Sequence, residues 1–235
     1  MHINTQIVES FFDSIPRTLV DRYVDYWGAM GAKRDHDFLS YGLFALLSVR
    51  MSMEKNIDAY KALCKFDWVD VEDISQRLES LRTGFHKTRA VAVDKYYQQF
   101  RDAVNELKKP DNMSWSDYRD KLTKIRGLGL AKSSFAVEIK YPLDCDVVCL
   151  DTHMLTFYTG AKNQPTPAPT IYKELERHWV RESRKRDIPP AIARHIYWDQ
   201  TRNEQDHSRA WSHVLEPSYQ VIGLTPDPTK YIIPV

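Results

Sequence analysis

No stretch of the 235-residue sequence is apolar for long enough to cross a bilayer, and segments that alternate apolar with polar residues are nearly missing. The first absence excludes a membrane-spanning helix, and the second argues against a sheet. Net charge is missing as well: 33 Lys+Arg against 32 Asp+Glu leave +1. A polyanion must therefore be met by a local patch and not by the chain as a whole. Cysteine is limited to Cys64, Cys145 and Cys149, an odd set without a secretory signal. That composition predicts a reducing, cytoplasmic setting. No Cys or His pair at ligand spacing follows Cys145 and Cys149, so buried thiols are expected there and not a zinc or iron–sulfur centre. There is no internal repeat.

What is present is helical periodicity. Residues 5–30 carry apolar positions at helical spacing, broken near Pro16 and ended by Gly28 and Gly31. Phe38 to Val49 is apolar almost all round, as in a helix buried in a core, and its polar exit at Arg50–Asn56 is a natural functional tip. A short helix over Val71–Leu81 is expected to start at Asp70 or Asp73 and close at Gly84, and a long amphipathic one follows over Lys87–Lys108. Ser114 caps a helix over Tyr118–Ile125, and another spans Leu130–Lys140. Asp146–Leu150 reads as a buried loop leading into a helix at Thr152–Tyr158. Asn163–Pro169 is a surface loop; helices follow over Ile171–Arg184, over Ala191–Arg202 after Pro189-Pro190, and over Ser208–Leu215. The Pro-rich residues 217–235 form a surface strap. The class is all-α.

The most specific stretch runs from Ile125 to Tyr158. Gly127-Leu128-Gly129 between two helical patterns describes a tight helical hairpin, because glycine enters positive φ without steric cost. The second helix opens at Leu130 with unpaired N–H groups facing outward, an anion site suited to a nucleic-acid phosphate. Leu150-Asp151-Thr152-His153 follows about twenty residues after the turn. Asp directly before a helix also suits an N-cap.

A Gly-x-Gly helical hairpin followed at that distance by Leu150-Asp151-Thr152-His153 resembles the helix-hairpin-helix DNA glycosylases with the Gly-Pro-Asp type loop, such as endonuclease III and 8-oxoguanine glycosylase. The likeness covers most of Asp37–Tyr158 and is most specific in its last third. It implies a single glycosylase-like unit over 1–235, with two helical lobes flanking a cleft. The lobes are residues 37–110 and residues 1–36 plus 111–216. It implies Asp151 as the catalytic carboxylate beside the sugar of a flipped nucleotide. The DNA backbone would lie on Arg126, Gly127, Leu128, Gly129, Leu130, Ala131 and Lys132. Arg50 falls where the family inserts a wedge into the base stack; a surface arginine is the plain alternative. Trp198, Asp199 and His153 are candidates for a base pocket, set against a core tryptophan, exposed charge and a structural histidine. No side-chain metal site and no cofactor are implied, although family members often hold a monovalent cation on hairpin carbonyls.

One position departs from the family. Bifunctional members place a nucleophilic lysine two residues after the second glycine; here that residue is Ala131, and the lysine is Lys132. One residue on a helix is a rotation of about 100°, so Lys132 is expected to make a phosphate contact or face solvent. The expected function is a monofunctional N-glycosylase, a monomer acting on a modified or mismatched base in double-stranded DNA. Two alternatives keep the fold: a phage-type base-hypermodifying transferase that attaches an amino acid or polyamine to an activated 5-hydroxymethyl-pyrimidine, and a non-enzymatic DNA-binding module.

Overall fold

The structure, a computed structural model, describes residues 3–30, 37–48, 51–64, 70–103, 108–162 and 164–202. Eleven helices and no strand occur among the described residues. The expected helix at Ser208–Leu215 and the strap at 217–235 lie outside them, as does Arg50.

Helices α1 (Thr5–Ser14) and α2 (Arg17–Met30) are separated at Pro16, and Asn4 caps the first by accepting the Ile7 N–H at 3.3 Å. Gly28 does not end α2, which runs on to Met30. A mid-helix glycine costs about 1 kcal/mol, and burial of Tyr23, Tyr26 and Trp27 on the same helix outweighs that. Helix α3 (Asp37–Leu47) is the central one: Tyr41, Leu43, Phe44, Ala45, Leu46 and Leu47 are all buried. Helix α4 (Met53–Cys64) is tied to it by buried Asn56, whose Nδ2 donates to the Phe44 carbonyl at 3.3 Å.

Asp70 caps α5 (Val71–Ser80). Gly84 falls in the turn before α6 (His86–Ala103), where Arg82 and Phe85 also take positive φ. Ser114 caps α7 (Trp115–Leu122), which the hairpin joins to α8 (Leu130–Lys140). Helix α9 (Thr152–Thr159) stops at left-handed Gly160. Helix α10 (Pro169–Arg184) begins two residues before the expected Ile171, because Pro169 at the first turn needs no N–H partner and can join the helix. Pro190 opens α11 (Pro190–Arg202) in the same way.

Helices α3 to α6 pack on one another; α2 on α11, α1 on α9 and α10, and α10 on α11 make a second group, to which the α7–α8 hairpin is tied by Arg119 of α7 on Glu176 of α10. Helix α3 lying on α8 joins the two groups.

The segment that matters most for position is Cys145–Leu150, which has no regular structure and no exposed residue other than Asp146. A buried irregular backbone needs partners for its amides. Three buried side chains supply them: Glu176 accepts the Val148 N–H at 3.0 Å, Glu138 accepts the Cys149 N–H at 2.8 Å, and the Tyr172 hydroxyl accepts the Leu150 N–H at 3.0 Å. Glu176 is in turn held by Arg119, fully buried on α7, through two N–H bonds of 2.9 and 3.0 Å, and by Ser134 of α8 at 3.2 Å. Cys145 and Cys149 are the buried thiols expected, and burial pushes both thiol pKa values up.

Arg119→Ala would leave the Glu176 carboxylate buried without a counter-charge. It is expected to cost about 3–5 kcal/mol of unfolding free energy, whereas Arg17→Ala, which breaks an exposed pair with Asp21, should cost under about 1 kcal/mol. Denaturant titration of the two variants checks this; equal and small losses would contradict it.

Candidate active site and nucleic-acid interface

Asp151 is where the buried segment turns into α9. Its backbone is extended, and its Oδ1 accepts the N–H groups of His153 at 2.9 Å and Met154 at 3.0 Å, which makes it the N-cap. The other oxygen, Oδ2, accepts Nη2 of Arg194 at 3.0 Å. The carboxylate is therefore oriented from two sides while its side chain keeps 23% exposure.

Arg194 rises from α11 into a nearly closed setting. Its Nη1 lies 3.8 Å from Oε2 of fully buried Glu138, and its guanidinium carbon lies 5.3 Å from the Phe135 ring centroid and 4.9 Å from that of Trp198. A delocalised cation enclosed by two aromatic rings and two carboxyl groups keeps its charge; Glu138 and Asp151 hold its pKa above the ordinary value against the opposing effect of burial. Burial acts the other way on Glu138 and pushes its carboxyl up to about 8.

The candidate pocket residues fall in different places. The His153 ring meets the Trp198 ring edge-on at 4.9 Å, so these two adjoin Arg194 and Asp151. Asp199 is turned onto Tyr23, whose hydroxyl donates to it at 2.6 Å, and burial raises its carboxyl to about 6.

In the hairpin, Gly127 has φ +93°, and a Cβ there would meet Leu46 Cδ1 at 2.7 Å. The glycine is thus required both by the turn and by the close approach of α3. Gly129 is the N-cap of α8 and has no side chain to occupy the amides of Leu130, Ala131 and Lys132. Leu128 is buried and anchors the turn, while Arg126 and Gly129 are exposed. Lys132 does not point into solvent: it is half-buried, and its ammonium donates to the carbonyl of Leu46 at 3.3 Å. Burial, with Arg89 nearby, lowers its pKa to about 8. Ala131 is half-buried against the core.

Arg194, Glu138, Phe135 and Phe85 were not singled out by spacing or motif. Arg194 and Glu138 each interrupt an apolar helical run, Ala191–Tyr197 and Phe135–Ile139, and a charged residue on the buried side of a helix signals a paired partner. Phe85 is 61% exposed on a left-handed turn, with the Arg89 guanidinium 5.9 Å from its ring. Exposure of that kind cannot be read from sequence.

The arrangement is that of an all-helical, helix-hairpin-helix glycosylase fold. No protein-family model and no curated protein matches the sequence. Solved structures do match. The 8-oxoguanine DNA glycosylase of Methanocaldococcus jannaschii is 18% identical with a TM-score of 0.66, over 85% of this chain and 94% of that one. The 8-oxoguanine glycosylase/lyase of the same organism in complex with a 15mer DNA containing 8-oxoguanine gives 18% identity and a TM-score of 0.66 over 85% and 97%. The 8-oxoguanine DNA glycosylase of Thermotoga maritima gives 15% and 0.65 over 85% and 96%. The chain has the fold of the 8-oxoguanine DNA glycosylases.

The raised pKa of Glu138 has a signed consequence. Between its ordinary value of 4.5 and about 8 the folded state binds more protons than the unfolded state. Stability from this group therefore falls as pH rises through that window. Glu138→Gln keeps an acceptor for the Cys149 N–H and removes the titration. Wild type should lose stability relative to the variant from pH 5 to about pH 8; an unchanging difference in denaturant midpoint would contradict it.

Proposed function

We propose that the chain flips a modified or mismatched base out of duplex DNA and hydrolyses its N-glycosidic bond without a covalent lysine intermediate. The observation that carries this reading is Asp151: a carboxylate held from both sides yet open to solvent, in a fold shared with solved glycosylases, one of them bound to DNA containing 8-oxoguanine.

As the bond to the sugar breaks, its electron pair leaves with the base and positive charge develops on the sugar. A fixed carboxylate stabilises that charge. With Oδ1 taken by two N–H groups and Oδ2 by Arg194, Asp151 acts as a placed charge and not as a proton acceptor. Water then adds to the sugar carbon and loses its proton to solvent, from which the departing base anion takes up one proton, so that neutral base is released. Trp198, braced by His153 and Arg194, offers an aromatic face for the flipped base.

The duplex backbone rests on the amides of Gly129, Leu130 and Ala131, with exposed Arg126 and Lys124 beside them; the Leu128 amide is spent inside the turn, donating to the Ile125 carbonyl at 3.0 Å. Phe85 adds an apolar wedge of the sort that separates base steps.

A second reading, transfer of an amine onto an activated base, is favoured by the alanine at position 131 and by the engagement of Lys132 with Leu46. Product analysis separates the two. Incubation with duplexes carrying oxidised, deaminated, mismatched or 5-hydroxymethyl bases should release free base and leave abasic sites, and Asp151→Asn should lower the rate by about 100-fold or more. A mass increase on the base would establish the transferase in its place. Borohydride added during turnover should trap no covalent adduct; an adduct lost in Lys132→Ala would overturn the lysine-independent route.

A further inference from the structure

Between α1 and α10, Glu9, His178 and Glu182 bring their ligand atoms within 4.8 Å of one another. His178 and Glu182 stand one turn apart on α10, and Glu9 faces them from α1. Tyr158 fixes the tautomer of the imidazole. Its hydroxyl lies 3.1 Å from the Leu175 carbonyl and 3.1 Å from Nδ1 of His178. A phenol has one proton and a carbonyl can only accept, so that proton goes to Leu175 and Nδ1 must donate to Tyr158. The lone pair of the neutral ring is then on Nε2. His178 is only 8% exposed, and Nε2 has no hydrogen-bond partner; Oε1 of Glu9 stands 3.8 Å from it. A buried lone pair opposite a carboxylate is a place where a cation is met by two ligands.

We propose that these three residues bind a divalent transition ion of the zinc type, with Nε2 of His178 and one oxygen each of Glu9 and Glu182 as ligands. The oriented Nδ1–H supplies the support that ligating histidines ordinarily receive. Glu9 is half-exposed, which gives the ion an entry path and lets that side chain swing in to bonds of about 2.0–2.2 Å. Glu182 is held in advance: Oε1 accepts Lys185 at 2.9 Å and Arg181 at 3.0 Å, and Oε2 accepts Arg186 at 3.2 Å, which leaves one lone pair on Oε2. Those three cations oppose any ion attracted by charge alone. Discrimination comes from the ligands: an imidazole nitrogen with two carboxylate oxygens suits zinc, whereas calcium and magnesium require a larger all-oxygen shell. Bound there, the ion clips the N-terminal helix to α10, independently of the proposed DNA chemistry.

Calorimetric titration of the chelator-treated full chain with zinc chloride, and separately with magnesium chloride, tests the site. Zinc should saturate at one equivalent and raise the melting temperature, and magnesium should do neither. Glu9→Gln, on a half-exposed side chain that the fold does not need, and His178→Gln should each weaken zinc binding by at least about tenfold. Absence of saturable zinc binding, an equal response to magnesium, or zinc binding unchanged in Glu9→Gln would overturn the site.

Discussion

The buried segment Cys145–Leu150 is the constraint on which the rest of the molecule depends. It carries the chain through the core in an irregular conformation, where an unpaired amide costs several kcal/mol. Helices α8 and α10 meet that demand with Glu138, Glu176 and Tyr172, each accepting one N–H of consecutive residues 148, 149 and 150. Two of the acceptors are carboxyl groups, which are themselves expensive to bury, and arginines from α7 and α11 compensate them. Four helices are thereby fixed around one strap, and the strap ends at Asp151.

This arrangement explains why Asp151 is placed rather than mobile. The carboxylate could not be oriented by the N-cap alone, since that uses only Oδ1. Arg194 holds Oδ2, and Glu138 behind Arg194 also holds the strap. The same pair of buried groups thus positions both the backbone before Asp151 and the side chain of Asp151. With both oxygens engaged by fixed donors, the carboxylate is a placed charge, which suits stabilisation of a developing cation better than proton transfer.

Much of the fold was legible in the sequence. Caps at Ser114 and Asp70, the break at Pro16 and the start at Pro190 are decided within a few residues, and helical spacing marks the buried faces. Gly28 misled because local propensity favoured an end where the burial of Tyr26 and Trp27 sustains the helix. At the candidate site, Asp151 was visible through its motif and its capping position. Arg194 and Glu138 were not, because their partners are remote in sequence and only the folded chain brings Arg194 of α11 to Glu138 and Asp151. The inward course of Lys132 was hidden for the same reason: its acceptor, Leu46, is supplied by a different helix.

The central claim is that Asp151 is a fixed negative charge placed for a cationic sugar. Its most direct test compares binding to two duplexes, one carrying a cationic pyrrolidine nucleoside analogue in place of a deoxynucleotide and one carrying the neutral tetrahydrofuran analogue. The account predicts tighter binding of the cationic duplex by wild type, and loss of that preference in Asp151→Asn with binding of the neutral duplex retained. Equal affinity of wild type for both duplexes, or a preference that survives the substitution, would contradict it.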